Sequence, residues 1–346
     1  MTSRLTCLPA LAALALLASC AGAQSTSSPS VSIPSDVSKR VILGAAMTKE
    51  QLRDPEMIGL VKGTFTSLTP DNQMKWGILQ PEQGQFDFSS ADEMMAIAKQ
   101  NDMRVRGHAL MWYPVPDWVK ERATTCDAAK DILKTHITTV VTHFKGQVPE
   151  WDVVNEPLDE NGNLREEDPF LKACGESIID DAFIWAHAAD PDAVLYLNDY
   201  STLVPDAKGN GQYELVKRLV ERKVPIDAVG FQGHEKIDSL GDGAAENVQA
   251  HAELGLKVAL TEVDVRLEKK GDAPTEEQVA QQANTYRRLA VLCAVNRSCI
   301  GFTVWSVSDR TEWVRKQTEG FDFQGMADQD LVHRPAWDAV VKTLRP

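Results

Sequence analysis

The chain has 346 residues, and 50 acidic against 36 basic side chains give it a formal net charge of -14 at pH 7. An acidic surface repels nucleic acids and anionic membranes, so the composition excludes both as partners that bind by charge. A chain of this length forms either two domains of average size or one large barrel.

The first residues predict that the protein leaves the cytoplasm. Arg4 precedes the apolar run "LPALAALALLAS", which is too short for a comfortable membrane span and has the features of a secretory signal. The run ends in "LASC", which resembles a bacterial lipobox, so we predict a lipoprotein-type signal at 1–19 and lipidation of Cys20. The alternative is an ordinary signal cleaved after "AGA" at 21–23. We expect an outer-membrane lipoprotein, or a periplasmic or secreted protein.

Residues 20–38 predict a tether, because "QSTSSPSVSIPSDVS" is rich in Ser and Pro and holds few large apolar side chains. No second low-complexity stretch or internal repeat follows in the sequence. Residues 39–346 therefore predict one domain, which we expect to be a monomer.

Eight short apolar runs, separated by helical stretches, predict the fold of this domain. Runs that are apolar on both faces and alternate with helices are typical of a parallel sheet, and eight such units predict an α/β fold, a (β/α)8 TIM barrel. A doubly wound sheet is the alternative. The runs are "VILGAAM" at 41, "FTSLTPDN" at 65, "RVRGHAL" at 104, "EWDVVNE" at 150, "AVLYLND" at 193, "DAVGFQG" at 227, "KVALTEVDV" at 257 and "IGFTVWSVSD" at 300.

Four cysteines lie in the predicted domain. In an oxidising compartment we expect Cys293 to pair with Cys299 across a small loop, and Cys126 to pair with Cys174 across a longer one. The alternative is buried free thiols. None of the spacings is CxxC, so we expect no metal site, and no motif indicates any other cofactor.

Polar side chains end seven of the eight apolar runs. In a TIM barrel the active site lies at the carboxyl ends of the strands, so these side chains are predicted to converge on one opening. Glu156 ends the fourth run and Glu262 the seventh, and paired carboxylates of this kind are typical of glycoside hydrolysis. The alternative is that each glutamate forms a surface ion pair. The polar strand ends are Asn72, His108, Asn155, Glu156, Asn198, Asp199, Gln232, His234, Glu262, Asp264, Trp305 and Asp309.

Seven motifs, in order along the chain from about residue 40 to the end, resemble glycoside hydrolase family 10. They are "NQMKW" at 72, "RGHALMW" at 106, "WDVVNEP" at 151, "LNDY" at 197, "GFQGH" at 230, "TEVDV" at 261 and "TVWSVSD" at 303. The resemblance implies a retaining endo-β-1,4-xylanase on a (β/α)8 barrel, with xylan and xylo-oligosaccharides as substrates. It also implies that Glu156 is the acid/base and Glu262 the nucleophile.

The neighbouring residues predict how such a site would work. Asn155 is expected to hydrogen-bond the sugar 2-hydroxyl, and His234 and Asp264 are expected to position Glu262 and keep it ionised. Core packing is the favoured interpretation of Trp76, Trp112 and Trp118, although Trp112 is also a substrate-binding candidate. The other predicted contacts to sugar rings or hydroxyls come from Asn72, Lys75, His108, Gln232, His234, Trp305 and Trp313.

Two positions depart from the family pattern. Asp71 stands where the family usually has Glu, and Tyr113 stands at a His position in the shortened "YPVPDW" loop, which lacks a Gln. These departures affect the glycone side of the predicted substrate site rather than its carboxylates. Two other functions stay open: a β-1,4-glucanase-type barrel glycosidase, and a non-catalytic glycan-binding lipoprotein.

Overall fold

The computed structural model describes residues 32–310 and 318–346, and Ile33–Pro346 form one compact unit. The predicted tether therefore ends too late. Val37 lies in the first helix and is fully buried, and Ile33 packs against the same core. These two apolar side chains anchor a Ser-rich and Pro-rich segment that composition alone assigns to a linker. The predicted signal and Cys20 lie outside the described residues.

Eight parallel strands form a closed barrel, as the sequence predicts. The barrel closes because its last strand, Cys299–Val304, pairs with both the preceding strand Lys257–Glu268 and the first strand Ile42–Met47, which rules out an open, doubly wound sheet. The strands are β1 Ile42–Met47, β2 Ser67–Pro70, β3 Arg104–Gly107, β4 Glu150–Asn155, β5 Val194–Asp199, β6 Ala228–Phe231, β8 Lys257–Glu268 and β9 Cys299–Val304. Two short strands that the sequence does not predict, β7 His234–Lys236 and β10 Phe321–Asp322, pair with the long β8 outside the barrel.

Helices lie between consecutive barrel strands. The longest carry the apolar periodicity that buries one face, and several begin at a residue whose side chain caps the free backbone N–H groups. Thr275, for example, forms a capping box with Gln278. In the described residues the helices are α1 Val37–Arg40, α2 Lys49–Arg53, α3 Pro55–Val61, α4 Trp76–Leu79, α5 Ser89–Gln100, α6 Asp117–Arg122, α7 Cys126–His143, α8 Pro169–Cys174, α9 Ser177–Ala189, α10 Ala207–Glu221, α11 Ala244–Glu253, α12 Glu276–Val295 and α13 Pro335–Leu344.

Both predicted disulfides are present. Cys126–Cys174 joins the start of α7 to the end of α8, with Cα atoms 4.8 Å apart. Cys293–Cys299 joins α12 to the start of β9, with Cα atoms 5.3 Å apart. Within the described part of the chain, no helix combines the length and the hydropathy needed to cross a bilayer.

A buried polar network inside the barrel supports the floor of the opening. Arg106 forms an ion pair with Asp152, and its Nη1 lies 3.6 Å from Glu150 Oε2. The Tyr196 hydroxyl donates to the same Glu150 oxygen at 2.9 Å. On the side of the opening, His108 Nδ1 lies 2.9 Å from Asp152 Oδ2. Because each buried charge has a partner, strands β3, β4 and β5 are held in register under His108.

Candidate active site

A cavity of about 1230 Å³ lies at the carboxyl ends of the barrel strands. Asn155 and Asp264 do not line it: they are 1% and 0% exposed and lie directly behind the lining residues. Trp313 lies outside the described residues. Asn198, Asp199 and Asp309, which are also predicted to reach the opening, are buried and do not line the cavity. The remaining predicted site residues line it together: Asn72, Lys75, His108, Trp112, Glu156, Gln232, His234, Glu262 and Trp305.

Irregular backbone points both glutamates into the cavity. Between Asp152 and Val154, β4 advances two residues while β5 advances one, and β8 has a similar irregularity relative to β9 between Leu260 and Val263. Bulges of this kind reorient side chains and are frequent next to active sites. The carboxylates of Glu156 and Glu262 consequently face the opening instead of the barrel wall.

Glu156 follows β4 in an unusual backbone conformation. Its backbone φ is +55°, in the left-handed region that residues other than glycine rarely adopt. Its N–H donates to the carbonyl of Asn198 at 2.8 Å, and its own carbonyl accepts from Arg165 Nε at 3.0 Å. Hydrogen bonds on both sides of the residue therefore hold the turn that carries the carboxylate.

Neutral amides hold the Glu156 carboxyl group by one oxygen only. Gln232 Nε2 donates to Oε1 at 3.0 Å, and Asn155 Nδ2 donates to the same oxygen at 3.3 Å. Among the described residues, none donates a hydrogen bond to Oε2. That oxygen is available to a bound ligand.

Glu262 is held at both oxygens and is 5% exposed. Asn198 Nδ2 donates to Oε1 at 2.7 Å, and His234 Nε2 lies 3.4 Å from Oε2. His108 Nδ1 is 4.0 Å from Oε1. Burial raises the pKa of Glu262, but the nearby His108, the hydrogen bond and charge of His234, and the Asn198 amide outweigh it, so the pKa is about 2.

His234 connects Glu262 to a second buried carboxylate. His234 lies on β7, and its Nδ1 lies 2.8 Å from Oδ2 of Asp264 on the paired strand β8. Burial lowers the pKa of His234, but Asp264 and Glu262 outweigh burial and raise it to about 9. At neutral pH the ring is an imidazolium between two carboxylates, which is the chain of contacts that the sequence predicts.

Asn198 contacts Glu262, although the sequence does not single it out among the polar strand ends. It was predicted to end β5 near the opening, but its amide is fully buried and donates to both Glu262 Oε1 and Asn155 Oδ1, at 2.7 and 2.8 Å. Gly230 on β6 leaves space for it, since a Cβ there would lie 2.2 Å from Asn198 Oδ1. The signal in the sequence is that Asn198 lies near the end of the fifth apolar run, as Asn155 lies near the end of the fourth, and the structure pairs these two positions across β4 and β5.

Aromatic and cationic side chains form the walls. The Trp305 ring makes an edge contact with His108, with ring centroids 5.3 Å apart. Lys75 Nζ lies 5.0 Å from the Trp112 ring centroid and 3.6 Å from Asp71 Oδ1. Trp112 therefore lines the cavity, whereas core packing was the favoured prediction. Trp76 and Trp118 do pack in the core.

Two tyrosines that were not predicted to bind substrate, Tyr113 and Tyr200, also line the cavity. Both rings lie near the Arg165 guanidinium carbon, at 4.7 and 5.8 Å. Within the part of the chain that the structure describes, no group of three or more metal-ligating side chains occurs. The opening thus combines two differently held carboxylates with aromatic rings and hydroxyl-binding side chains.

A model of the family "Glycosyl hydrolase family 10" matches residues 34–343. The chain belongs to glycosyl hydrolase family 10. The match covers nearly the whole compact unit, in agreement with the seven motifs and with the closed eight-stranded barrel.

Curated relatives are similar to this chain over most of its length. Endo-1,4-beta-xylanase A of Phanerodontia chrysosporium is 36% identical over 322 residues, covering 91% of this chain and 77% of the relative. Endo-1,4-beta-xylanase B of Thermotoga neapolitana is 36% identical over 285 residues, covering 81% of each.

Solved structures of family 10 xylanases have the same fold. Xylanase 10B of Thermotoga maritima has a TM-score of 0.84 and 33% identity, covering 89% of this chain and 97% of that chain. Xylanase 10B of Thermotoga petrophila RKU-1, solved in complex with xylobiose, has a TM-score of 0.84 and 32% identity, covering 92% and 98%. The chain is thus a glycoside hydrolase of the family that includes these endo-1,4-β-xylanases.

Proposed function

We propose that this family 10 enzyme is an endo-β-1,4-xylanase that cleaves internal bonds of xylan with retention, using Glu262 as nucleophile and Glu156 as acid/base. The observation that carries the proposal is the unequal environment of the two carboxylates. Glu262, with a pKa of about 2, is ionised at neutral pH. Glu156 has one oxygen free of donors from the described residues, so it can give and take a proton.

In the first step, a Glu262 oxygen attacks the anomeric carbon while Glu156 gives its proton to the glycosidic oxygen. The bond between that oxygen and the anomeric carbon breaks, and the aglycone leaves as an alcohol. Asn155 is 1% exposed behind Glu156, and its amide donates to Glu156 Oε1, so its contact with the 2-hydroxyl stays a prediction from the sequence.

In the second step, the Glu156 carboxylate takes a proton from water, and the oxygen of that water attacks the anomeric carbon. The ester bond to Glu262 breaks, and two inversions give net retention. The neutral amides of Gln232 and Asn155 suit this exchange, because an N–H can donate to either protonation state of Glu156. A cationic partner would oppose protonation of Glu156.

A polymeric substrate fits the size and lining of the cavity. A volume of about 1230 Å³ exceeds the roughly 300–1,000 Å³ of ordinary small-ligand sites. Xylose lacks the C5 hydroxymethyl group of glucose, and we expect Trp305, which packs against His108 in the cavity wall, to leave too little space for that group. The activity ratio on xylan and carboxymethylcellulose tests this choice: comparable rates would favour the β-1,4-glucanase alternative.

Substitution of each glutamate tests the mechanism. Glu262→Ala should lower the rate of hydrolysis by several orders of magnitude whatever the leaving group, because no glycosyl-enzyme can form. Glu156→Ala should still cleave dinitrophenyl xylobioside in a burst, then turn over slowly until azide is added, and yield the β-glycosyl azide. The non-catalytic alternative predicts no hydrolysis by the wild type. An α-anomer as the first product, seen by proton NMR, would contradict retention.

Export is proposed with the function. The two disulfides support an oxidising compartment, since such bonds are rare in the cytoplasm. Whether a lipid anchor is present is tested by Cys20→Ser, which should release the protein from the membrane fraction. A wild-type protein that is wholly soluble, with its terminus at Gln24, would contradict the anchor.

A further inference from the structure

The backbone around Glu156 needs an explanation that its carboxyl contacts do not give. A left-handed conformation at a residue other than glycine costs on the order of 1–3 kcal/mol and persists only where the surroundings enforce it. Glu156 has a φ of +55° and is followed by Pro157 at the start of a loop without regular secondary structure. Something beyond β4 must therefore hold this turn.

Arg165 binds three consecutive carbonyls of that loop. Its Nε donates to the carbonyl of Glu156 at 3.0 Å, its backbone N–H to that of Pro157 at 2.8 Å, and its Nη2 to that of Leu158 at 2.6 Å. Nη2 also donates to the Tyr200 hydroxyl at 2.9 Å. The whole residue is 9% exposed. All four acceptors are neutral oxygens, and the guanidinium itself binds three of them: two backbone carbonyls and the Tyr200 hydroxyl.

Only arginine fits this arrangement. Its planar guanidinium offers five donors in a fixed fork, so it can bind the carbonyls of Glu156 and Leu158 at once. A lysine ammonium can reach one of these carbonyls but has no second donor at the required separation. The Tyr113 ring, 4.7 Å from the guanidinium carbon, covers one side of the fork.

We propose that Arg165 is the positioning residue of the acid/base, because it holds the carbonyls that fix the direction of the Glu156 carboxyl group. This inference rests on the proposed function, in which Glu156 transfers protons. Arg165 itself binds backbone and does not line the cavity. Its loss should therefore impair proton transfer and leave the nucleophile intact.

The proposal predicts an effect that depends on the leaving group. A displacement of about 1 Å in a catalytic group can cost about 10²-fold, and a positioned acid contributes roughly 10²–10⁴-fold. Arg165→Met should lower kcat/KM about 10- to 100-fold for xylan and for aryl xylobiosides with poor leaving groups. For dinitrophenyl xylobioside, whose phenolate leaves without a proton, kcat/KM should change less than about threefold.

The second step gives an independent signature. With dinitrophenyl xylobioside, Arg165→Met should lower kcat and KM together, because the intermediate accumulates when Glu156 is a poorly placed base. Azide, which needs no base, should raise kcat again. Arg165→Lys keeps one donor and should recover part of the loss with poor leaving groups.

Arg40→Met is the matched control. Arg40 donates to the carbonyls of Asn296 and Ala294 at 2.8 and 2.7 Å, at the opposite end of the barrel. It should lower thermal stability without any dependence on the leaving group. Should Arg165→Met not fold, Arg165→Lys carries the same comparison.

The outcomes separate the two proposals. An equal loss for every leaving group in the Arg165 variants, or no loss, beside a strong leaving-group dependence in Glu156→Ala, would overturn the role of Arg165 alone. If Glu156→Ala itself loses the same factor for every leaving group and azide does not rescue it, the acid/base assignment fails, and the role of Arg165 fails with it.

Discussion

The two sides of the cleft hold their carboxylates by different physical means. On the β8 side, Glu262 is nearly buried and both its oxygens have donors, one of them the His234 imidazolium. On the β4 side, Glu156 is partly exposed, one oxygen accepts from neutral amides, and the backbone is fixed through Arg165. Charge fixes the ionisation of the first glutamate, whereas hydrogen-bonded backbone fixes the direction of the second.

This difference follows from what each proposed role requires. A nucleophile must stay ionised, so a cationic partner helps it at every pH of interest. An acid/base must exchange a proton in each step, so a permanent charge beside it would favour one state over the other. The Glu156 carboxyl group is accordingly held by neutral amides, and the Arg165 guanidinium contacts backbone carbonyls rather than the carboxyl oxygens.

The Asn198 amide links the two sides, and its loss should cost more activity than a change to the partner of either glutamate alone. Asn198 donates to Glu262 and to Asn155, so Asn198→Ala should lower kcat/KM by about 10²- to 10³-fold for good and poor leaving groups alike. Asn247→Ala is the control, because its buried amide donates to two backbone carbonyls, those of Thr202 and Leu203. A loss in Asn198→Ala that vanished with activated substrates would place Asn198 on the acid/base side only.

Removing the His234 imidazolium tests what keeps Glu262 ionised. In His234→Gln, the pKa of Glu262 should rise from about 2 towards its ordinary value of 4.5, because charge and hydrogen bond are lost together. In a plot of kcat/KM against pH, the acidic limb should move to higher pH. Activity at neutral pH should fall about 10-fold or more. An unmoved acidic limb would show that His234 does not keep Glu262 ionised.

The same substitution predicts a pH-dependent loss of stability. The pKa of His234 is raised from 6.5 to about 9, so its contribution is full below pH 6.5 and is lost as pH rises through 9. The pKa of Glu262 is depressed, so its contribution is present above pH 4.5 and is lost as pH falls through about 2.

Wild type and His234→Gln should therefore differ most in free energy of unfolding between pH 4.5 and 6.5, by roughly 3 kcal/mol at about 1.4 kcal/mol per pKa unit. Urea unfolding across pH measures this difference. His251→Gln is the control: burial lowers the pKa of His251, so its contribution should not decline between pH 6.5 and 9. A pH-independent difference for His234 would contradict the coupling.

The smallest expected effect lies on the cleft wall, away from both carboxylates. Asp71 lines the cavity 3.6 Å from Lys75, and Asp71→Glu adds one methylene. A repositioned hydroxyl contact is worth on the order of 1 kcal/mol, so xylo-oligosaccharide cleavage patterns should shift while turnover on polymer stays within about twofold. Asp117→Glu, on exposed α6, is the control. Unchanged patterns would count against substrate binding by Asp71.

The barrel was predictable because each strand is buried on both faces and therefore reads as a short apolar run. Glu156 and Glu262 were predictable because each is a carboxylate that follows such a run, although β8 continues past Glu262 to Glu268. Asn198 could not be ranked above the other strand ends, because what distinguishes it is a hydrogen bond to Glu262, which is 64 positions away in the sequence. Arg165 lies in a loop without periodicity, and nothing in its neighbours along the chain indicates that it binds three carbonyls of the Glu156 turn.

Trapping the glycosyl-enzyme tests the division of roles most directly. A dinitrophenyl 2-deoxy-2-fluoro-xylobioside should form the intermediate faster than it is hydrolysed, because the fluorine slows both steps and the leaving group restores only the first. Peptide mapping by mass spectrometry should then find one added disaccharide on Glu262 and none on Glu156. A label on Glu156, or no label together with an α-anomer as the first product, would contradict the account.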